Sequence, residues 1–450
     1  MKFLPGLRAL FTRMIAASQN TAITHPVLVT RTPKSSDDIV HPLDSHYFAF
    51  FLQSMVRVVT YANLFPSIIA DIFSRCILHK TLRHSILSLS SWIVDFRLHR
   101  SMDRFQLQYI ATLQNIQASI CSSQIDEGTA ISVFLIVQID MMRSDHWAAR
   151  KHFRGFYLIV QNLLANSNLS PLLLATWRLA IRLDWTIALY LAEAPVFPAS
   201  PRGQEALQRQ WITSLGYTGD TVEWAIAAFA VDDLMNRACH YAIQARELRK
   251  FSDPAVEIAV KGLVTNLVEE YGDWHHLPII REAQFTEETA QFVPFLPEEN
   301  PVVPIQQFLD HPPLRIINIF YANLLNAMRA ISIYISLILN PSIGPVGAPQ
   351  RFAMAVEMCR TLAAMEGNTV IPATSRIWTI FLIGVAFGGT KRSPKEAVWL
   401  KEKMQEIRKV FPISQTSMTI YESVYDAEGD FWEEVTRVKR ILKAKIEGRG

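Results

Sequence analysis

Residues 231–250 read VDDLMNRACHYAIQARELRK and place two adjacent carboxylates, Asp232 and Asp233, one helical turn before a carboxamide, Asn236. Oxygen donors at this spacing can hold Mg²⁺ ions against a substrate diphosphate, because hard divalent cations take oxygen ligands and keep part of their coordination for phosphate. The chemistry also needs a second ligand set on a facing helix, so that several anionic oxygens converge on the ions. Arg237, next to the acids, works against cation binding. The same stretch supports a plainer reading. Val231, Leu234, Ala238, Tyr241, Ala245 and Leu248 recur every three or four residues and form one apolar stripe, while Asp232, Asp233, Asn236, Arg237 and His240 fall off it. On that reading Asp233 and Arg237 make an exposed helical ion pair worth about 0.3–0.5 kcal/mol. The stripe therefore predicts a solvated or paired polar face with no metal chemistry.

The D-D-x-x-N run resembles the Mg²⁺ motif of terpene cyclases, which makes an all-α terpenoid-type enzyme using Mg²⁺ and a prenyl diphosphate the alternative function. Its usual companion, N/D-x₃-S/T-x₃-E, does not occur; the nearest run, Asn63, Ser67 and Asp71, ends in the wrong acid and contains Pro66. His275 and His276 sit beside Asp273, but neighbouring residues on a helix point about 100° apart and cannot easily share an ion. H-E-x-x-H, G-x-S-x-G, P-loop and G-x-G-x-x-G patterns are missing. These readings predict no catalytic, cofactor-binding or metal-binding residue. The last basic run, Arg437, Lys439, Arg440, Lys443 and Lys445, follows Glu433 and Glu434, the order the helix dipole favours.

The elements that must position these residues are helices. Half of the 450 residues are hydrophobic and 19% are charged, which excludes disorder and implies a large core. From Leu43 onward apolar residues recur at three- and four-residue spacing, predicting an irregular all-α array of about fifteen antiparallel-packed helices. One example is the stripe Phe105, Tyr109, Thr112 and Ile116. Three apolar runs, 129–137, 331–339 and 379–389, are each shorter than the roughly 20 residues that span a bilayer and are expected to be buried core rather than membrane segments. Cys76, Cys121, Cys239 and Cys359 lie 45, 118 and 120 residues apart, without metal spacing, and each is expected in the core of a protein from a reducing compartment. Residues 291–313 hold six prolines and read as a rigid connector between a first helical part, 41–290, and a second, 314–450, packed together as one unit. Residues 1–40 form a basic amphipathic arm. Its composition is that of a docked helix or of a mitochondrial presequence, so a mitochondrial helical scaffold is a third reading.

Several segments, taken in order, resemble the fungal-specific regulatory region of binuclear zinc-cluster transcription factors. In 111–163 an apolar helix precedes Trp147, His152, Gly155 and an apolar tail, as in that family's signature helix pair, and 234–250, 321–341 and 377–389 are similar to its later helices. The resemblance spans roughly residues 40 to 446 and implies a nuclear transcriptional regulator without enzymatic activity, controlling a metabolic or biosynthetic gene set. It implies that Asp232 and Asp233 are structural acids and that Trp147 and His152 are packing and capping residues. The family's six-cysteine zinc cluster has no counterpart here. The expectation is therefore no sequence-specific DNA binding by this chain alone, with action through protein partners, another zinc-cluster factor among them, or through a small-molecule effector; an upstream exon carrying the cluster would restore direct recognition. With 44 basic and 41 acidic residues, the charge gives no bulk attraction for nucleic acid.

Overall fold

A computed structural model of the chain describes residues 42–54, 67–143, 145–166, 169–251, 255–291, 318–343, 349–365, 373–388, 398–400, 402–405, 415–427 and 429–446. The arm at 1–40, Asn63, and residues 292–313 of the proline-rich stretch lie outside these residues. The described residues are all-α, as the periodicity predicts. They contain sixteen helices: α1 (Pro42–Ser54), α2 (Ser67–Cys76), α3 (Lys80–Arg97), α4 (Asp103–Cys121), α5 (Glu127–Met142), α6 (His146–Asn166), α7 (Pro171–Leu191), α8 (Glu205–Ser214), α9 (Asp220–Leu248), α10 (Ala255–His275), α11 (Pro278–Gln291), α12 (Ile319–Leu339), α13 (Pro349–Ala364), α14 (Ala373–Phe387), α15 (Gln415–Asp426) and α16 (Phe431–Ile446). Residues 398–400 and 402–405 are also helical. The one β-type pairing among the described residues is an isolated antiparallel bridge, Ser342 with Asp430.

Packing divides the chain into two compact units, residues 1–180 and 181–450, with the boundary in the sequence of α7. In the first unit α3 packs against α1, α2, α4 and α5, and α5 packs against α6. Ser85, Ser88, Ser90 and Ser91 are buried, and the Ser85 and Ser91 hydroxyls donate to Leu82 O (2.9 Å) and Ser88 O (3.1 Å). The predicted stripe Phe105, Tyr109, Thr112 and Ile116 is buried along α4. Two helix starts share one cap: His79 Nδ1 accepts Leu82 N–H at the start of α3, and His79 Nε2 donates to Asp126, which accepts Thr129 N–H (2.8 Å) at the start of α5. Gly128 is needed there, since a Cβ would lie 2.5 Å from the His79 ring.

The second unit is built around α9, 29 residues long, and α12. Helix α9 packs against α8, α10, α11 and α12, and α12 also packs against α10, α13 and α14. The apolar run 331–339 extends backwards into a 21-residue helix, long and apolar enough by composition to cross a membrane, and this differs from the short segment expected. Within the unit α12 is a core helix, with Asn326 Nδ2 donating to Met358 O (3.3 Å) and Arg329 Nη1 to Thr361 Oγ1 (3.2 Å). Its last carbonyls are met by cations, as the helix dipole favours. Arg249 donates to Ile338 O (2.6 Å) and Leu339 O (3.0 Å), and Arg351 to Ser336 O and Ser342 O.

Candidate functional site

Helix α9 carries the residues on which the metal question turns, and the structure corrects the surface-helix expectation. Asp232 and Asn236 are fully buried, Asp233 is 6% exposed and Arg237 9%. Asp232 Oδ1 lies 3.2 Å from Arg182 Nε on α7. Asp233 accepts a hydrogen bond from Gln208 Nε2 on α8 (3.1 Å). Arg237 pairs with Glu270 on α10 and donates to Ser200 O (2.7 Å). The residues fall off the apolar stripe as read, but α9 has neighbours on several sides, so leaving the stripe does not mean reaching water. They are paired, as one of the two expectations had it, and they are not solvated.

Asn236 and Arg237 are engaged by the segment after α7, residues 192–204, AEAPVFPASPRGQ. Pro195, Pro198 and Pro201 keep it from forming a helix or a ladder, so its peptide groups need side-chain partners. Successive turns of α9 supply them. Asn236 Oδ1 accepts Ser200 N–H (3.2 Å), Arg237 donates to Ser200 O, His240 Nε2 donates to Phe197 O (2.9 Å), and Arg246 Nη1 donates to Ala192 O (2.8 Å). From α7, Asp184 Oδ2 accepts Phe197 N–H (2.8 Å). From the strap itself, Arg202 reaches Glu270 Oε1 (2.6 Å) and Asn266 O (2.8 Å). The polar residues of α9 thus clamp a proline-rich strap.

Electrostatics follow from burial. Burial, and then the adjacent Asp233 carboxylate, push the Asp232 carboxyl well above the usual carboxylate range. Burial lowers Arg182 to about 10, still charged at neutral pH, and its guanidinium is the charge that offsets the cost of an ionised Asp232. A Mg²⁺ ion at Asp232 would have to displace this arginine. Among the described residues no three His, Cys, Asp or Glu side chains converge as metal ligands.

The other candidates are placed as follows. His152 is buried on α6 with Nδ1 2.5 Å from Asp140 Oδ2, and Tyr109 Oη donates to Asp140 Oδ1 (2.9 Å). The cap of α6 is Asp145, which accepts Ala148 N–H (2.8 Å), so His152 packs and Trp147, half-buried, does not cap. His275 ends α10 with its ring against Tyr271 (4.9 Å) and Trp274 (5.0 Å); burial, then His276 and Arg329, lower its pKa. Cys76, Cys239 and Cys359 are buried, and Cys121 is exposed, contrary to the expectation for all four. Sequence reading missed Arg182, Gln208 and Glu270 as the partners of the α9 acids. The signal for the strap was present in the three-residue proline spacing, Pro195, Pro198 and Pro201. Comparison with protein-family models, with curated proteins and with solved structures finds no match for this chain.

Proposed function

We propose that this chain is a transcriptional regulator of fungal type, a non-enzymatic helical body acting in the nucleus through protein partners or a small effector. The observation that carries the reading is the engagement of Asp232, Asp233, Asn236 and Arg237 with Arg182, Gln208, Ser200 and Glu270. The one run with enzyme-like residue types is engaged within the fold, its acids by Arg182 and Gln208 and its asparagine by the strap, which weighs against the prenyl diphosphate alternative. The ordered resemblance of 111–163, 234–250, 321–341 and 377–389 to the fungal regulatory region supplies the class, and the balanced charge favours recruitment by partners over direct DNA reading. The test pairs two measurements. Chromatin immunoprecipitation from fungal nuclei is expected to enrich a defined promoter set, while the purified chain selects no sequence from a random DNA pool. Exclusion from nuclei, selection of a motif by the chain alone, or Mg²⁺-dependent turnover of a prenyl diphosphate would each overturn the reading.

A further inference from the structure

A cleft of about 660 Å³ opens between the end of α9 and the outer face of α16, within the size range of small-molecule sites. Its floor is Pro341 and Gly429, fixed by Ile343 N–H to Gly429 O (2.7 Å) and Phe431 N–H to Pro341 O (2.8 Å). Four arginines line it, Arg246, Arg249, Arg437 and Arg440, against three acids, Asp430, Glu433 and Glu434. The acids are mostly engaged. Asp430 accepts Trp432 N–H (2.8 Å) and Glu433 N–H (3.0 Å) as the α16 cap, and Glu434 is held by Arg437 and Ser423. Two of the arginines make no ion pair with a carboxylate among the described residues. Arg246 contacts neutral groups, Ala192 O, Thr436 Oγ1 (3.5 Å) and the face of Trp432, 5.4 Å from its guanidinium carbon. Arg440 is exposed and makes no ion pair among the described residues. Arg246 is the better positioned, since the strap and Trp432 hold its fork in place before any ligand arrives.

We propose that this cleft binds a compact polyanion bearing carboxylate or phosphate groups, with Arg246 as the preorganised cation and Arg440 as the second. Guanidinium groups suit both oxyanion types because their N–H forks match paired oxygens. This names the chemistry of the effector and rests on the regulatory reading only for what binding would accomplish. Isothermal titration of the purified full chain with citrate and, separately, pyrophosphate tests it and tells the two sources apart. Saturable binding of at least one is expected, weakened at least tenfold by Arg440→Ala with an unchanged melting temperature, and weakened again by Arg246→Gln. Arg440 is exposed and makes no ion pair among the described residues, so its variant keeps the test valid should Arg246→Gln fail to fold. Absence of saturable binding by either anion, or binding that survives Arg440→Ala, overturns the proposal. Binding of an acidic peptide where neither small anion binds overturns it too, in favour of a protein partner. Failure here leaves promoter enrichment in nuclei unaffected, so it is distinguishable from failure of the regulatory reading.

Discussion

Asp140 in the first unit and Asp232 in the second are equally buried, yet they are held differently. Asp140 has a hydrogen bond on each oxygen, from Tyr109 and from His152. Neither Asp232 oxygen has a hydrogen bond, and its partner is the charge of Arg182 at 3.2 Å. A carboxylate satisfied by short directional bonds costs little to keep buried, whereas one held by a longer ion pair depends on its counter-charge. The difference teaches where the fold is vulnerable. Removing the partner of a buried ion pair costs more than removing the acceptor of two hydrogen bonds.

Asp232→Ala should accordingly destabilise the second unit by about 3–5 kcal/mol in equilibrium denaturation, because Arg182 loses its buried counter-ion. A loss under about 1 kcal/mol would return the residue to a solvated face. Asp140→Ala should cost less, about 2–3 kcal/mol in the first unit, by taking an acceptor from Tyr109 and His152. If it costs more than Asp232→Ala, the contrast is wrong. Gly128→Ala should cost about 1–3 kcal/mol through overlap of the new Cβ with the His79 ring, and His79→Ala should remove most of that penalty.

Asp126→Ala should cost about 1 kcal/mol as a lost cap. The pH dependence has a definite sign. Burial pushes Asp126 up, but hydrogen bonds from His79 and Thr129 outweigh it and hold the carboxyl at about 2, below its ordinary 3.8. A depressed acid stabilises fully above its unfolded value and less as pH falls toward 2, so the parent protein should lose this component between about pH 4 and 2 and the variant should not. The smallest effect is at Ala192, which ends α7 at φ 49°. Ala192→Gly should raise stability by about 0.5 kcal/mol, since relief of left-handed strain exceeds the added chain entropy. A lower melting temperature for this variant would contradict that assignment.

Legibility in the sequence followed packing geometry. The α4 stripe at Phe105, Tyr109, Thr112 and Ile116 was readable because α4 buries one side, with Leu107 and Ile110 exposed on the other. The polar residues of α9 misled because α9 is enclosed by four helices and a strap, so its second face is buried too. Periodicity reports which residues are apolar, and it is silent on partners 25 to 50 positions away such as Arg182, Gln208 and Ser200. Likewise, 331–339 was readable as buried, but its extension through Asn326 and Arg329 was not. Those polar side chains are accepted inside α12 because Met358 O and Thr361 receive them. The cleft at Arg246 and Arg440 joins residues nearly 200 positions apart and had no local signal.

A double-mutant cycle on Asp232 and Arg182, read by equilibrium denaturation, tests whether the α9 acids are structural. Asp232→Ala and Arg182→Ala should each cost about 3–5 kcal/mol, with the double variant falling short of their sum by more than about 1 kcal/mol, as a buried pair requires. Single losses under about 1 kcal/mol that simply add would contradict the account.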